Sequence, residues 1–132
     1  MRLRADVPIA YCLSGGIDSG GLVSIASQDF AHSGTAYSIL SNDERYDERV
    51  NIYKSAEHAG LEVVPIHLHE SRLTLDKLSE TIKHRAAPVI TITYFIHGLI
   101  SEAASQDGNK IVFSGTAADE LFTGYYDHFL LH

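Results

Sequence analysis

Apolar residues along this chain follow two alternating patterns. Pro8-Ile9-Ala10-Tyr11-Cys12-Leu13 is a short, nearly continuous apolar run that stops at Ser14-Gly15-Gly16, the pattern of a strand buried on both faces. Leu22, Ile25, Ala26 and Phe30 follow at i, i+3, i+4, i+8, which predicts one buried face of a helix. Thr35-Ala36-Tyr37-Ser38-Ile39-Leu40 predicts a second strand, and Ser41 to Arg45 a polar loop. Asp47 is the expected N-cap of a helix carrying Val50, Tyr53 and Ala56, with Gly60 as its stop. Leu61 to Leu68 supplies a third strand, and Pro65, lacking an amide hydrogen, assigns it to a sheet edge.

Leu75, Leu78 and Ile82 line one side of a further amphipathic helix that Pro88 ends. A longer helix is expected from about Thr93 to Gln106, with Phe95, Ile96, Leu99, Ile100 and Ala103 inward and Gly108 closing it. Lys110-Ile111-Val112-Phe113 is a fourth strand, cut off at Ser114-Gly115. A last helical segment begins near Ala117 and carries Leu121, Phe122 and Tyr125. Strands alternating with helices predict an α/β, Rossmann-like fold, a parallel sheet flanked by helices. Ligands of such sheets bind beyond the strand carboxyl ends, where the strand order reverses. Both glycine turns, 14–16 and 114–115, fall at such ends.

Composition narrows the classes. Ten glycines and three prolines in 132 residues lie far below the roughly one quarter that marks low complexity. The single Cys12 excludes an internal disulfide, and Met1 to Asp6 lacks the apolar stretch of a secretory signal. A reducing, cytoplasmic setting is therefore expected. The longest apolar run, Pro88 to Ile100, is interrupted by threonines, His97 and Gly98 and is shorter than the roughly 20 residues of a bilayer span. A net charge of −7 without a basic block opposes binding to nucleic acid, which relies on clustered Lys and Arg.

The first glycine turn carries candidate chemistry. Ser14-Gly15-Gly16-Ile17-Asp18-Ser19 lies between strand and helix, where glycines allow close backbone approach and helix N-terminal amides point at an anion. Ser14 and Ser19 add hydroxyl donors. Asp18 suits a phosphate site only with a divalent cation, Mg²⁺, bridging carboxylate and phosphate oxygens. The spacing is neither that of a Walker loop nor of a dinucleotide fingerprint.

This motif resembles S-G-G-x-D-S, the pyrophosphatase loop of ATP-dependent adenylating enzymes, which include asparagine synthetase, β-lactam synthetase, NAD and GMP synthetases, argininosuccinate synthetase and tRNA-modifying enzymes. Ser114-Gly115-Thr116-Ala117-Ala118-Asp119-Glu120-Leu121-Phe122-Thr123-Gly124-Tyr125 is similar to S-G-E-G-x-D-E-x-F-G-G-Y of the asparagine synthetase synthase domain. Asp47-Glu48 resembles a further acidic pair of that family. The resemblance covers the chain from Val7 to about Tyr126 and implies a partial ATP-binding synthase domain over residues 1–132, with an adenine nucleotide alpha hydrolase-like fold.

The resemblance implies that Ser14, Gly15, Gly16, Asp18 and Ser19 hold the pyrophosphate end of ATP. It further implies that Leu13, Ile39, Ser114 and Gly115 line the adenosine and AMP portion, and that Asp18 and Asp119 are the catalytic carboxylates sharing Mg²⁺. The implied reaction adenylates a carboxylate, aspartate or a related acid, releases AMP and pyrophosphate, and forms an amide with ammonia from glutamine. The implied glutaminase domain and a later helical segment lie outside these residues, so the isolated chain is expected to be inactive. A homo-oligomer is left open. Thr116 and Thr123 depart from the family's glutamate and glycine, and threonine cannot serve as a carboxylate base. Amidation of a sugar uronic acid therefore stays open, as does nucleotide binding without catalysis.

Competing readings weigh differently by residue. Acidic residues in a first helical turn are favoured by the helix dipole alone, the main expectation for Glu120 and for Asp47 and Glu48. The tRNA-modifying relatives need a basic face, and the thiolases a cysteine pair. His67-x-His69 falls short of a zinc ligand set, and Cys12 is expected to be a small core residue.

Overall fold

The strands are short, and the two central ones bury side chains on both faces of one sheet. The computed structural model describes residues 6–29, 34–68, 75–88, 91–122 and 124–125. In chain order the elements are β1 (Ile9–Cys12), α1 (Ile17–Gln28), β2 (Thr35–Leu40), a 3-10 turn (Glu44–Tyr46), α2 (Arg49–Ala59), β3 (Glu62–His67), α3 (Leu75–Arg85), α4 (Ile92–Gln106), β4 (Ile111–Ser114) and α5 (Ala118–Phe122). All pairings are parallel, in the order β3-β2-β1-β4. This is the expected parallel α/β sheet, with Pro65 on an edge strand as its missing amide requires.

Successive strand residues point to opposite faces, and the two cores follow this period. Ile9, Tyr11 and Leu13 join Ala36 and Leu40 beneath α1 and α2. Ala10 and Cys12 join Tyr37, Ile39 and Ile66 beneath α4, which contributes Phe95, Leu99, Ile100 and Ala104. Each such large apolar side chain contributes roughly 1.5–3 kcal/mol relative to an exposed position. The phenol of Tyr37, fully buried, donates to Asp107 Oδ2 at 2.7 Å and accepts from Asn109 Nδ2 at 3.0 Å. Burial, then the Asp107 hydrogen bond and charge, push it up to about 12.

Three helical faces differ from the sequence expectation. Helix α1 buries Ser19, Val23 and Ala26, while Ile25 is 52% exposed; the tether of Ser19 to the preceding turn decides which face turns inward. Helix α2 buries Ile52, Ala56 and Ala59, leaving Val50 65% exposed; the alanines let it lie close to the sheet. Helix α3 buries no residue, and Leu75 is 84% exposed. β4 is Ile111–Ser114, shifted by one position because Ser114 pairs with Cys12. Phe30 lies outside the described residues.

Candidate functional site

β2 and β4 lie on opposite sides of β1, so the strand order reverses beside β1, where an open parallel sheet leaves its ligand crevice. Pairing of Cys12 with Ser114 brings the two glycine turns side by side at this point.

The first turn is cross-linked within itself. Ser19 Oγ donates to the carbonyl of Ser14 at 2.9 Å, lies 3.2 Å from the carbonyl of Gly16, and accepts from the Ser14 amide at 3.1 Å. Ser14 Oγ lies 2.9 Å from Ser19 Oγ and accepts from the Gly16 amide at 3.3 Å. The amide of Gly15 donates to Glu48 Oε2 at 3.2 Å. Gly16 caps α1 without a side-chain hydrogen bond, and the Ile17 and Asp18 amides have no partner among the described residues. Unpaired donors at a helix N-terminus are the groups that suit an anion.

The second turn packs directly on the first. A Cβ on Gly115 would stand 2.9 Å from the Ser19 amide nitrogen and 3.0 Å from the Asp18 carbonyl carbon, so only glycine lets the backbones approach this closely. A Cβ on Gly124 would run into the Asp119 carboxylate, and the Gly124 amide donates to the Asp119 carbonyl at 2.9 Å. Tyr125 donates to Glu120 Oε1 at 3.1 Å. Its phenol is pushed up first by that bond and by Glu120's charge, with further contributions from Asp119 and Asp18. Both aspartates therefore contribute to the charge felt at this one hydroxyl, although 101 positions of chain separate 18 from 119.

Other expected site residues occupy distinct environments. Leu13 is buried, with its amide donating to Tyr37 and its carbonyl accepting from the buried Ser38 hydroxyl at 2.7 Å. Ile39 packs partly buried on the α4 side of the sheet. Ser114 Oγ lies 2.6 Å from Thr116 Oγ1 and accepts from the Thr116 amide. Burial pushes the Cys12 thiol up, and a hydrogen bond with Ser114 partly offsets this, so it is no ready thiolate. Thr123, Tyr126 and His69 lie outside the described residues.

Two features escaped the sequence reading. Asp47 and Glu48, taken together as capping residues, divide their roles. Asp47 Oδ1 accepts from the Arg49 amide at 3.0 Å, whereas Glu48 makes no side-chain cap bond and reaches the first turn instead. Ala117 has φ 85, a left-handed conformation costly for a residue with a Cβ, at the position where the family signature carries glycine. That signature contained the signal.

Hard cations take oxygen ligands, and Mg²⁺ typically uses one or two protein carboxylates plus phosphate oxygens. The carboxylates of Asp18 and Asp119, both half-buried, make no hydrogen bond or ion pair among the described residues and have the oxygen chemistry such a role needs. No group of three or more His, Cys, Asp or Glu side chains is arranged for a metal among the described residues. An open groove of about 430 Å³ also runs from Gly15 and Gly16 along the α1–α2 seam to Lys54 and His58. No helix among the described residues is long and apolar enough to cross a membrane.

Known proteins resemble this chain in sequence and in fold. The chain is 29% identical to amidase chyE of Penicillium rubens, over 95% of its length and 20% of that protein. It is 28% identical to asparagine synthetase [glutamine-hydrolyzing] 1 of Bacillus subtilis, over 95% of its length and 19% of that protein. The crystal structure of a predicted subunit of tRNA methyltransferase from Methanocaldococcus jannaschii shares the fold, with a TM-score of 0.52, 18% identity, and coverage of 95% of this chain and 61% of that one. The family model for asparagine synthase matches residues 1–132, and the chain belongs to that family.

Proposed function

We propose that this chain is the ATP-binding core of a ligase that adenylates a carboxylate and converts it to an amide, with AMP and pyrophosphate as by-products. The observation that carries the reading is the close packing of Gly115 against Asp18 and Ser19 at the reversal of strand order. The α1 N-terminal amides, with Ser14 and Ser19, bind the pyrophosphate oxygens, and the strand-end backbone at Leu13, Ile39, Ser114 and Gly115 flanks the adenosine. Asp18 and Asp119 hold Mg²⁺, which when bound would neutralise charge on the pyrophosphate that leaves. Aspartate or a related acid is the carboxylate, and ammonia from a glutaminase domain elsewhere in the protein displaces AMP. The setting proposed is cytoplasmic, with ATP and the carboxylate as small-molecule partners.

Thr116 supports a second reading. With a hydroxyl at the position of the family's glutamate, a carboxylate other than aspartate, such as a sugar uronic acid, becomes an alternative substrate. In the full-length protein, carboxylate-dependent exchange of pyrophosphate into ATP is expected to vanish on Asp18→Ala. Full exchange in that variant would remove Asp18 from the site, and comparing aspartate with uronic acids would distinguish the two substrates.

A further inference from the structure

The peptide unit between Ser14 and Gly15 is held from both sides. Its carbonyl accepts from Ser19 Oγ at 2.9 Å, and its amide donates to Glu48 Oε2 at 3.2 Å. A trans peptide is planar, with N–H and C=O pointing in opposite directions, so two such partners fix its rotation. Ser19 comes from the helix that follows the turn, whereas Glu48 comes from the entrance to α2, 33 positions away from Gly15 in sequence.

The backbone contact shows that this meeting is built in. A Cβ on Gly15 would lie 2.5 Å from Glu48 Cβ, 3.1 Å from the Glu48 carbonyl oxygen and 3.2 Å from Asn51 Cβ. Glycine therefore seats the turn against the first residues of α2. Glu48 is free for this contact because Asp47 accepts the Arg49 amide.

We propose that Glu48 is a positioning residue of the phosphate turn, holding the Ser14–Gly15 peptide against Ser19 so that the next amides, Ile17 and Asp18, stay open toward the anion. This deepens the ATP-binding reading above and rests on it. Only an acceptor oxygen is required, so a glutamine at this position preserves the hold while an alanine releases it.

The test uses the full-length protein, with MgATP as the probe, measured by calorimetry and by the split between KM and kcat. Glu48→Ala is expected to weaken MgATP binding about tenfold, the upper end of what one hydrogen bond contributes. KM should rise more than kcat falls, and Glu48→Gln should restore binding. Unaltered affinity in Glu48→Ala would overturn the proposal while leaving the ATP reading intact. Equal impairment of the glutamine and alanine variants, or tighter binding by both, would overturn it as well, since charge rather than an acceptor would then be acting. A wild-type protein that does not bind MgATP would remove both readings.

Discussion

The two turns that meet beside β1 are built to different standards. The first is tied by hydrogen bonds among Ser14, Gly16 and Ser19, is seated on α2 through Gly15 and Glu48, and buries Ser19. The second leads into a helix of five residues with no buried side chain, whose Leu121 and Phe122 are 76% and 79% exposed, and it holds Ala117 in a left-handed conformation. One turn is supported by its own sheet and helices. The other leans on the first through Gly115 and ends in exposed apolar residues.

That contrast can be broken at its joint first. Gly115→Ala would drive a methyl into the Asp18 and Ser19 backbone and should cost about 2 kcal/mol, the range of an overpacked site. The denaturant midpoint checks this, and an unchanged midpoint would mean that the turns are not packed together. Ser19→Ala removes the partner of the Ser14 amide and carbonyl and should cost about 1.5 kcal/mol, the penalty of polar groups left unpaired.

Tyr37→Phe tests the scaffold apart from either turn and should cost about 1 kcal/mol near neutral pH. Burial and Asp107 push the folded phenol up to about 12, against 10.0 for an ordinary tyrosine. Its contribution to stability is therefore fully present below pH 10 and lost as pH rises through 12. Unfolding midpoints measured from pH 9 to 12 should fall more steeply for wild type than for the variant. The smallest effect is a gain. Ala117→Gly relieves a left-handed alanine and should stabilise by roughly 0.5–1 kcal/mol after the entropy of glycine is counted; destabilisation would show that the second turn is unstrained.

The sequence revealed the strands and both turns because short strands buried on two faces leave continuous apolar runs that glycine ends abruptly. Pro65 even marked the sheet edge. Helix faces were less legible. In α1, glycines 20 and 21 and several small residues leave little periodic contrast, so the choice of Val23 over Ile25 as a core residue rests on Ser19 binding back to Ser14. In α2, the inward alanines carry less apolar signal than the exposed Val50 and Tyr53. The division of labour between Asp47 and Glu48 was illegible for a different reason. Its deciding contact reaches Gly15, and sequence spacing carries no information about such a distant partner.

In the proposed function the two turns form one site, with Asp18 and Asp119 acting on the same ligand. A double-mutant cycle of Asp18→Ala and Asp119→Ala in the full-length protein, read by calorimetry with MgATP, tests it most directly. Residues sharing a ligand are predicted to couple by about 1 kcal/mol or more, so that the double variant binds scarcely worse than the weaker single variant. Strictly additive losses would contradict the account, because each carboxylate would then be acting at a place of its own.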